Sequence, residues 1–358
     1  MRILFLQDHL RIGGTEKQTV ALAQFGQKNG YQTGLLVFRP GGALPMRETP
    51  GSYFKTLQPF NTHIDEWAPG LIRNIKDFSP DAIVFMGKVA HLYLERLKSY
   101  FPNTAMIATF RSGKKPVPYY LRALSASHGI LTNNKAEERK LSQLNESSAA
   151  KIQTIHNGCL LPKIALGTPR TLTSPLRIIY VAMFRPQKNQ AELITILSKL
   201  PPSINWTCTL VGTGKTLNTC KQLVKSLRLE KRIRFLATPD PQPLYYEHHI
   251  AVSTSDKEGL PNSLIEAQWT GLPVIAYLVN GVGDCFEDSV SGFGIPFGDQ
   301  QAFSDALQLL ASSPERLNEM SKSAISFSRK QFNFEDRSRD FFLAVKQVQS
   351  SFGSKENR

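Results

Sequence analysis

Short apolar runs separated by longer amphipathic stretches recur along almost the whole chain, and this alternation restricts the fold more than any other feature. Residues 2–6, Arg-Ile-Leu-Phe-Leu, have the continuous apolar character of a strand buried on both faces. Residues 16–29 then read as a helix, with Val20, Ala21, Ala23 and Phe25 apolar and Gly30 as its stop. Further strands are expected at 33–38, 82–86, 105–109 and 130–132. A second series follows a Pro/Thr/Ser/Gly-rich stretch at 166–175: strands at 177–181, 206–211, 232–236, 250–253 and 273–277, with helices at 190–200, 216–227 and 262–270. Strand-then-helix order argues for parallel sheets with crossover helices. A chain of 358 residues also exceeds what one hydrophobic core usually serves. The expectation is α/β: two doubly wound domains over 1–166 and 167–335, with a last helix near 334–349 returning from the second domain to the first and a disordered tail beyond 351.

Charge is unevenly spread. The net charge is +14, and residues 1–165 hold 21 Lys and Arg against 11 Asp and Glu, whereas residues 166–358 hold 22 against 18. The surplus of ten in the first half suits a phosphorylated substrate or an anionic membrane surface; no organised nucleic-acid motif accompanies it. No run reaches the ~20 apolar residues of a membrane span, and residues 3–6 are too short for a signal peptide. Cys159, Cys208, Cys220 and Cys285 lack metal-ligand spacing and disulfide-scaffold density. A reducing, cytoplasmic setting is expected.

Three segments carry candidate chemistry. Gly13-Gly14-Thr15-Glu16 lies between the first strand and its helix, where small residues and free N–H groups admit an anion. A tight turn would use the same residues. Lys188 lies just beyond the strand at 177–181, at the end of an open α/β sheet where ligands bind, with Arg185 as a second cation for a diphosphate. Solvated charges at a helix start are the alternative. Glu258-Gly-Leu-Pro-Asn-Ser-Leu-Ile-Glu266 places one carboxylate in a loop and a second about one turn into a helix. The N–H groups of Leu260, Asn262, Ser263 and Leu264 then face an anion, and Pro261 offers none. A carboxylate at Glu266 can accept ribose hydroxyls and one at Glu258 those of a sugar; a helix-start acidic residue plus a surface Glu is the alternative. The seven histidines form no His-Glu-x-x-His pattern. There is no Gly-x-Ser-x-Gly elbow, no Walker loop and no Asp-x-Asp for a metal-bound diphosphate.

The Glu258-x7-Glu266 block, with Ala267 and Thr270-Gly-Leu-Pro-Val-Ile-Ala276 behind it, resembles the donor-site signature of retaining GT-B glycosyltransferases of family four (glycosyl transferases group 1). Lys188, Leu210-Val-Gly-Thr-Gly214, Ile155-His-Asn-Gly158 and the Gly13-Gly14 turn extend the resemblance over most of the chain. It implies two Rossmann-like domains facing each other across a cleft. It also implies that Lys188 holds the donor diphosphate, Glu266 the ribose and Glu258 the transferred sugar. Gly259, Leu260, Asn262 and Ser263 would supply loop contacts, and Gly13 and Gly14 would meet the diphosphate from the other domain. No metal or other cofactor is implied. The chain departs from the family at Ala182-Met183-Phe184, where Gly-Arg-Leu is usual, and Arg185 sits two positions later. No His follows residue 86 directly, His91 being five residues on, and Arg111 stands where a His is frequent after the strand at 105–109.

These residues lead us to expect a metal-independent, retaining hexosyltransferase that uses a nucleoside diphosphate sugar, with UDP-sugar as the expected donor. The expected acceptor is a saccharide or lipid-linked saccharide in polysaccharide or glycoconjugate synthesis. Lys188, Glu258 and Arg185 would act at the reacting bond, and Glu16 and Arg111 on the acceptor side. Arg111, Lys114, Lys115 and Arg122 with Tyr119 and Tyr120 form the expected contact with the inner face of an anionic membrane. A nucleotide-sugar epimerase on the same fold, or a non-catalytic nucleotide-sugar or glycan binder, is the alternative.

Overall fold

Every strand pair in the computed structural model is parallel, in two separate sheets. The structure describes residues 1–11, 13–42, 44, 53–111, 113, 115–144, 149–161 and 168–356, and elements are numbered among these. The chain divides into two units, Met1–Gly158 with Phe334–Arg358, and Cys159–Asn333. Residue 166, expected at the boundary, lies outside the described residues.

The first unit holds β1 (Arg2–Gln7), β2 (Gln32–Val37), β3 (Tyr53–Thr56), β4 (Ala82–Phe85), β5 (Ala105–Phe110), β6 (Gly129–Thr132) and β7 (Ile152–Thr154), in the order β3-β2-β1-β4-β5-β6-β7. Its helices are α1 (Gly14–Lys28), α2 (Leu71–Phe78), α3 (Leu94–Tyr100), α4 (Pro118–Ala126) and α5 (Lys135–Leu144). β1 is apolar from Ile3 to Leu6 because both its faces are covered: Leu4 and Leu6 enter one core cluster, Ile3 and Phe5 the other. The second cluster is closed by the chain's last helix, α12 (Phe334–Glu356), through Phe341, Phe342, Ala344 and Val345. The Phe341 ring stacks on Phe5 at 6.1 Å. Gly26 makes room for the helix, since a Cβ there would lie 2.6 Å from the Phe342 ring. Each buried phenylalanine contributes about 2–3 kcal/mol through area removed from water.

The second unit has β8 (Leu176–Val181), β9 (Trp206–Val211), β10 (Ile233–Leu236), β11 (Ile250–Ser253), β12 (Val274–Tyr277) and β13 (Gly292–Ile295), in the order β10-β9-β8-β11-β12-β13. Its helices are α6 (Gln190–Ser198), α7 (Leu217–Ser226), α8 (Gln242–Tyr246), α9 (Asn262–Trp269), α10 (Gln300–Ser312) and α11 (Pro314–Gln331). One contiguous apolar core runs through it. Strand order reverses between β1 and β4 in the first unit, and between β8 and β11 in the second. At such a reversal the connections leave to opposite sides and open a crevice beyond the strands' carboxyl ends.

Candidate active site

Lys188 and Glu258 occupy that crevice in the second unit. Beyond β8 the chain runs through Ala182–Arg185 into a 3-10 turn, Pro186–Lys188, which Asn189 ends in the left-handed region at φ 50°. Beyond β11 it runs through Ser255 to Glu258. The loops are tied to each other before any ligand arrives. The Asp256 N–H donates to the Gln187 carbonyl at 3.0 Å, and the Thr254 hydroxyl to the Asn189 carbonyl at 2.9 Å. The buried Tyr180 hydroxyl donates to the Lys188 carbonyl at 2.6 Å and lies 2.9 Å from Ser255 Oγ. Burial, followed by the charge on Glu258, pushes the Tyr180 phenol well above its ordinary range, so it stays a neutral donor. On this scaffold the Lys188 ammonium makes an ion pair with Glu258 Oε1, which also accepts from Ser255 Oγ at 2.7 Å.

Two glycines set the height of the Lys188 loop. Gly212 and Gly214, at φ 144° and 146°, lie so close to that loop that a Cβ on either would sit 2.2 Å from the carbonyl oxygen of Ala182 or Phe184. The contact is sealed by the Phe184 N–H donating to the Thr213 carbonyl at 2.8 Å. The Phe184 side chain is fully buried beneath.

α9 brings in the second carboxylate. Glu266 Oε2 accepts from the Tyr245 hydroxyl at 3.1 Å. Tyr245 is fully buried at the end of α8, and its backbone carbonyl receives the buried Arg170 guanidinium at 3.2 Å. Pro261 caps the helix, and its carbonyl accepts the Leu264 N–H at 3.1 Å, so Leu264 is not the free donor that its sequence position suggested. The N–H groups of Gly259, Leu260 and Ser263 have no backbone acceptor among the described residues.

In the first unit, α1 begins at Gly14 with Gly13 as its cap, and the Glu16 carboxylate folds back against Gly13. A Cβ on Gly13 would meet Glu16 Oε2 at 2.2 Å. Asp8, after β1, accepts the Ala90 N–H beyond β4 at 3.1 Å. Burial raises the Asp8 carboxyl above its usual range, against the pull of neighbouring N–H groups and Arg39. His91 is buried under the loop: its Nδ1 donates to the Gly87 carbonyl at 2.6 Å, its Nε2 accepts the Thr109 N–H at 3.3 Å, and Tyr120 stacks on it at 4.2 Å. Both ring nitrogens are therefore committed to the backbone.

Residues 170–327 match the family model described as glycosyl transferases group 1. That segment belongs to the glycosyl transferases group 1 family. It contains Lys188, Glu258 and Glu266 with the whole Tyr180–Ser255 and Tyr245 framework, and it opens on Arg170. An uncharacterized glycosyltransferase of Haemophilus influenzae is 25% identical over 330 residues, covering 86% of this chain and 90% of that one. The Escherichia coli UDP-Gal:alpha-D-GlcNAc-diphosphoundecaprenol alpha-1,3-galactosyltransferase is 30% identical over 192 residues, 48% of each chain, so this chain spans about half of it. Among solved structures, Anabaena Alr3699/HepE in complex with UDP superposes with a TM-score of 0.79 at 18% identity, covering 97% of this chain and 100% of that one. The fold is of the GT-B class, with two Rossmann-like doubly wound domains.

Within this group 1 framework the other expected site residues are less uniform. Arg185 starts the Lys188 turn, with its side chain exposed and no ion-pair partner among the described residues. Arg111 does not belong to a surface patch. Its guanidinium is bonded to Asn157, and its NH1 is buried without a partner. Burial lowers its pKa to about 10, against the opposing influence of Tyr120. The Tyr120 hydroxyl is likewise turned inward, to the Thr109 carbonyl at 2.6 Å. Arg122 is exposed and 3.8 Å from Glu95, Lys115 is exposed, and Lys114 lies outside the described residues. Tyr180, Tyr245 and Ser255 are the site residues that sequence reasoning missed. The two tyrosines read as core or loop residues, and Ser255 as part of a polar turn.

Proposed function

We propose that the chain is a retaining glycosyltransferase that moves a sugar from a UDP-sugar to a saccharide or lipid-linked saccharide acceptor, without a metal. The observation that carries this reading is the Lys188–Glu258 pair, built on loops from the two strands flanking the switch point of the group 1 domain. As the bond between the anomeric carbon and the β-phosphate oxygen breaks, negative charge grows on the departing diphosphate. Lys188 lies where that charge develops, and the N–H groups of Gly259, Leu260 and Ser263 add donors. Lys188 then exchanges part of its contact with Glu258 for phosphate, and Glu258 holds a sugar hydroxyl. Glu266, steadied by Tyr245, takes the ribose hydroxyls. The acceptor hydroxyl attacks from the face the diphosphate leaves and gives its proton to the departing phosphate oxygen, so the anomeric configuration is kept. Glu16 and Arg111, both in the first unit, are assigned to the acceptor side.

The UDP bound in Alr3699/HepE and the diphosphoundecaprenol-linked acceptor named for the Escherichia coli relative support the donor and acceptor classes. The basic surplus of the first half supports work at the inner face of an anionic membrane, with Lys115 and Arg122 at the surface and Arg111 and Tyr120 turned inward. No helix among the described residues is long and apolar enough to cross a membrane.

The test is binding and turnover of UDP-, GDP- and ADP-sugars by the purified chain, following release of nucleoside diphosphate, with Lys188→Ala and Glu266→Ala alongside. Saturable binding of one UDP-sugar that both variants lose is the expected result. Absence of binding to the whole panel removes the proposal, and epimerised sugar from donor alone replaces transfer with epimerisation.

A further inference from the structure

The second unit carries a cavity of about 340 Å³ away from the donor loops. It is lined by residues near the amino ends of β8, β9 and β10: Arg177, Thr207, Lys231, Arg232 and Arg234, with Thr209 as part of its floor. A central strand of a doubly wound sheet is normally apolar on both faces. β9 is not. Trp206, Cys208 and Leu210 enter the core, and Thr207 and Thr209, together with Cys208, line the cavity. Their neighbours across the sheet are cationic, Arg177 opposite Thr207 and Arg234 opposite Thr209. The connection from β10 to β11 contains a single helix of five residues, α8.

Of these cations only Arg234 has a carboxylate partner among the described residues. Arg234 donates through Nε to Thr209 Oγ1 at 2.8 Å and reaches Glu247 at 3.2 Å. The Arg177 guanidinium is fixed by the Glu247 backbone carbonyl and by Thr173 Oγ1 at 2.9 Å, both uncharged. Arg232 lies over the Trp206 ring at 5.2 Å. Arg177, Lys231 and Arg232 have no carboxylate partner among the described residues. The lining holds four cations against two carboxylates, Glu230 and Glu247. His248 and His249 are kept neutral beside them. Burial lowers His248 to about 4 against the opposing Leu244 carbonyl, with the charges on Arg234 and Arg177 adding to burial, and burial with Arg177 does the same for His249.

We propose that this cavity is a second anion site, which takes a phosphate group on Arg177, Arg232 and the Thr207 hydroxyl at the opposite end of the sheet from the donor loops. A guanidinium fixed by neutral acceptors, as Arg177 is, and a second on an aromatic face, as Arg232 is, keep their charge available to a phosphate. The strands separate this site from Lys188 by roughly 15 Å, at about 3.3 Å per residue. The assignment does not depend on glycosyl transfer, and the phosphate can belong to a free ion or to a lipid headgroup.

Two ligands separate these sources: inorganic phosphate, titrated calorimetrically at low ionic strength against matched chloride, and phosphatidylcholine vesicles with or without phosphatidic acid. The full chain is used throughout. Phosphate binding should persist in Lys188→Ala, weaken roughly tenfold or more in a Lys231→Ala, Arg232→Gln double variant, and be unchanged in the remote Arg73→Ala. Glu230→Gln, which removes a negative charge from the rim, should tighten it, a gain that misfolding does not produce. Binding confined to phosphatidic-acid vesicles, with the same response to the variants, assigns the site to a headgroup. Phosphate and vesicle binding that is absent, or indifferent to both the double variant and Glu230→Gln, overturns the proposal.

Discussion

The Tyr245 hydroxyl donates to Glu266 Oε2 at 3.1 Å from a ring with no solvent exposure. Burial, together with the Glu266 charge, holds this phenol far above its ordinary pKa, so it remains a donor at any working pH. On the proposed function Glu266 takes the ribose, and Tyr245, bonded to Glu266, is a positioning residue. Tyr245→Phe should therefore raise the KM for the nucleotide sugar about fivefold, roughly 1 kcal/mol for one hydrogen bond, and leave kcat nearly unchanged. Steady-state kinetics with varied donor separates this from a general loss of fold, which would lower the active fraction and kcat with it.

On the proposed function, the Lys188–Glu258 pair should link stability to activity. The Glu258 side chain is only 11% exposed, so removing the lysine strands a carboxylate that Ser255 alone then serves. Lys188→Ala should lose about 1–2 kcal/mol of unfolding free energy, less than a fully buried pair because both groups reach solvent. It should also lose at least ~100-fold in kcat/KM. Adding Glu258→Gln removes the stranded charge. Urea unfolding of the double variant should recover most of the stability while turnover stays lost.

The alternation of apolar runs made most of both sheets legible, because strands covered on two faces are written as continuous apolar segments. β3, β7 and β13 escaped for local reasons. β3 is a half-exposed edge strand that carries Lys55, β7 has three residues, and β13 reads Gly-Phe-Gly-Ile. At the site, Glu258 and Glu266 were legible together because eight residues and a helix start fix their relation. The hydroxyls that hold them were not. Tyr180 and Ser255 meet across 75 residues of sequence, and only the adjacency of β8 and β11 brings them together. Arg111 shows the converse limit. Read beside Lys114 and Lys115 it resembles a surface cation, but β5 ends by turning its side chain toward Asn157.

Gly212 and Gly214 are required by geometry. Each has a φ near +145°, where a side chain is strained, and each lies where a Cβ would meet a carbonyl oxygen at 2.2 Å. The obstructing atoms are backbone and cannot rotate away. Gly214→Ala should cost about 2–4 kcal/mol, read as a lower urea midpoint with an unchanged slope. Because the obstructing carbonyl belongs to Phe184, four residues before Lys188, the surviving folded fraction should also bind donor more weakly. Normal stability and normal binding together would show that the loop pair is not rigid.

His91 sets an acid limit on the first unit. It is 2% exposed, and burial lowers its pKa to about 4 against the opposing influence of the Gly87 carbonyl. Protonation would also turn Nε2 toward the Thr109 N–H, replacing an acceptor with a second donor. The unfolded chain binds this proton near pH 6.5 and the folded one only near 4. Between those values the unfolded state holds more protons, so stability rises with pH across the window and is level above it. The full effect of this residue is of order 3 kcal/mol, from about 1.4 kcal/mol per pH unit. His91→Gln replaces the imidazole with a group that does not titrate. Unfolding free energies measured from pH 7.5 down to pH 4.5, a range that covers most of this window, should fall steeply for the natural chain and less steeply for the variant. Parallel curves would place the acid sensitivity elsewhere, with His248 and His249 the next residues to replace.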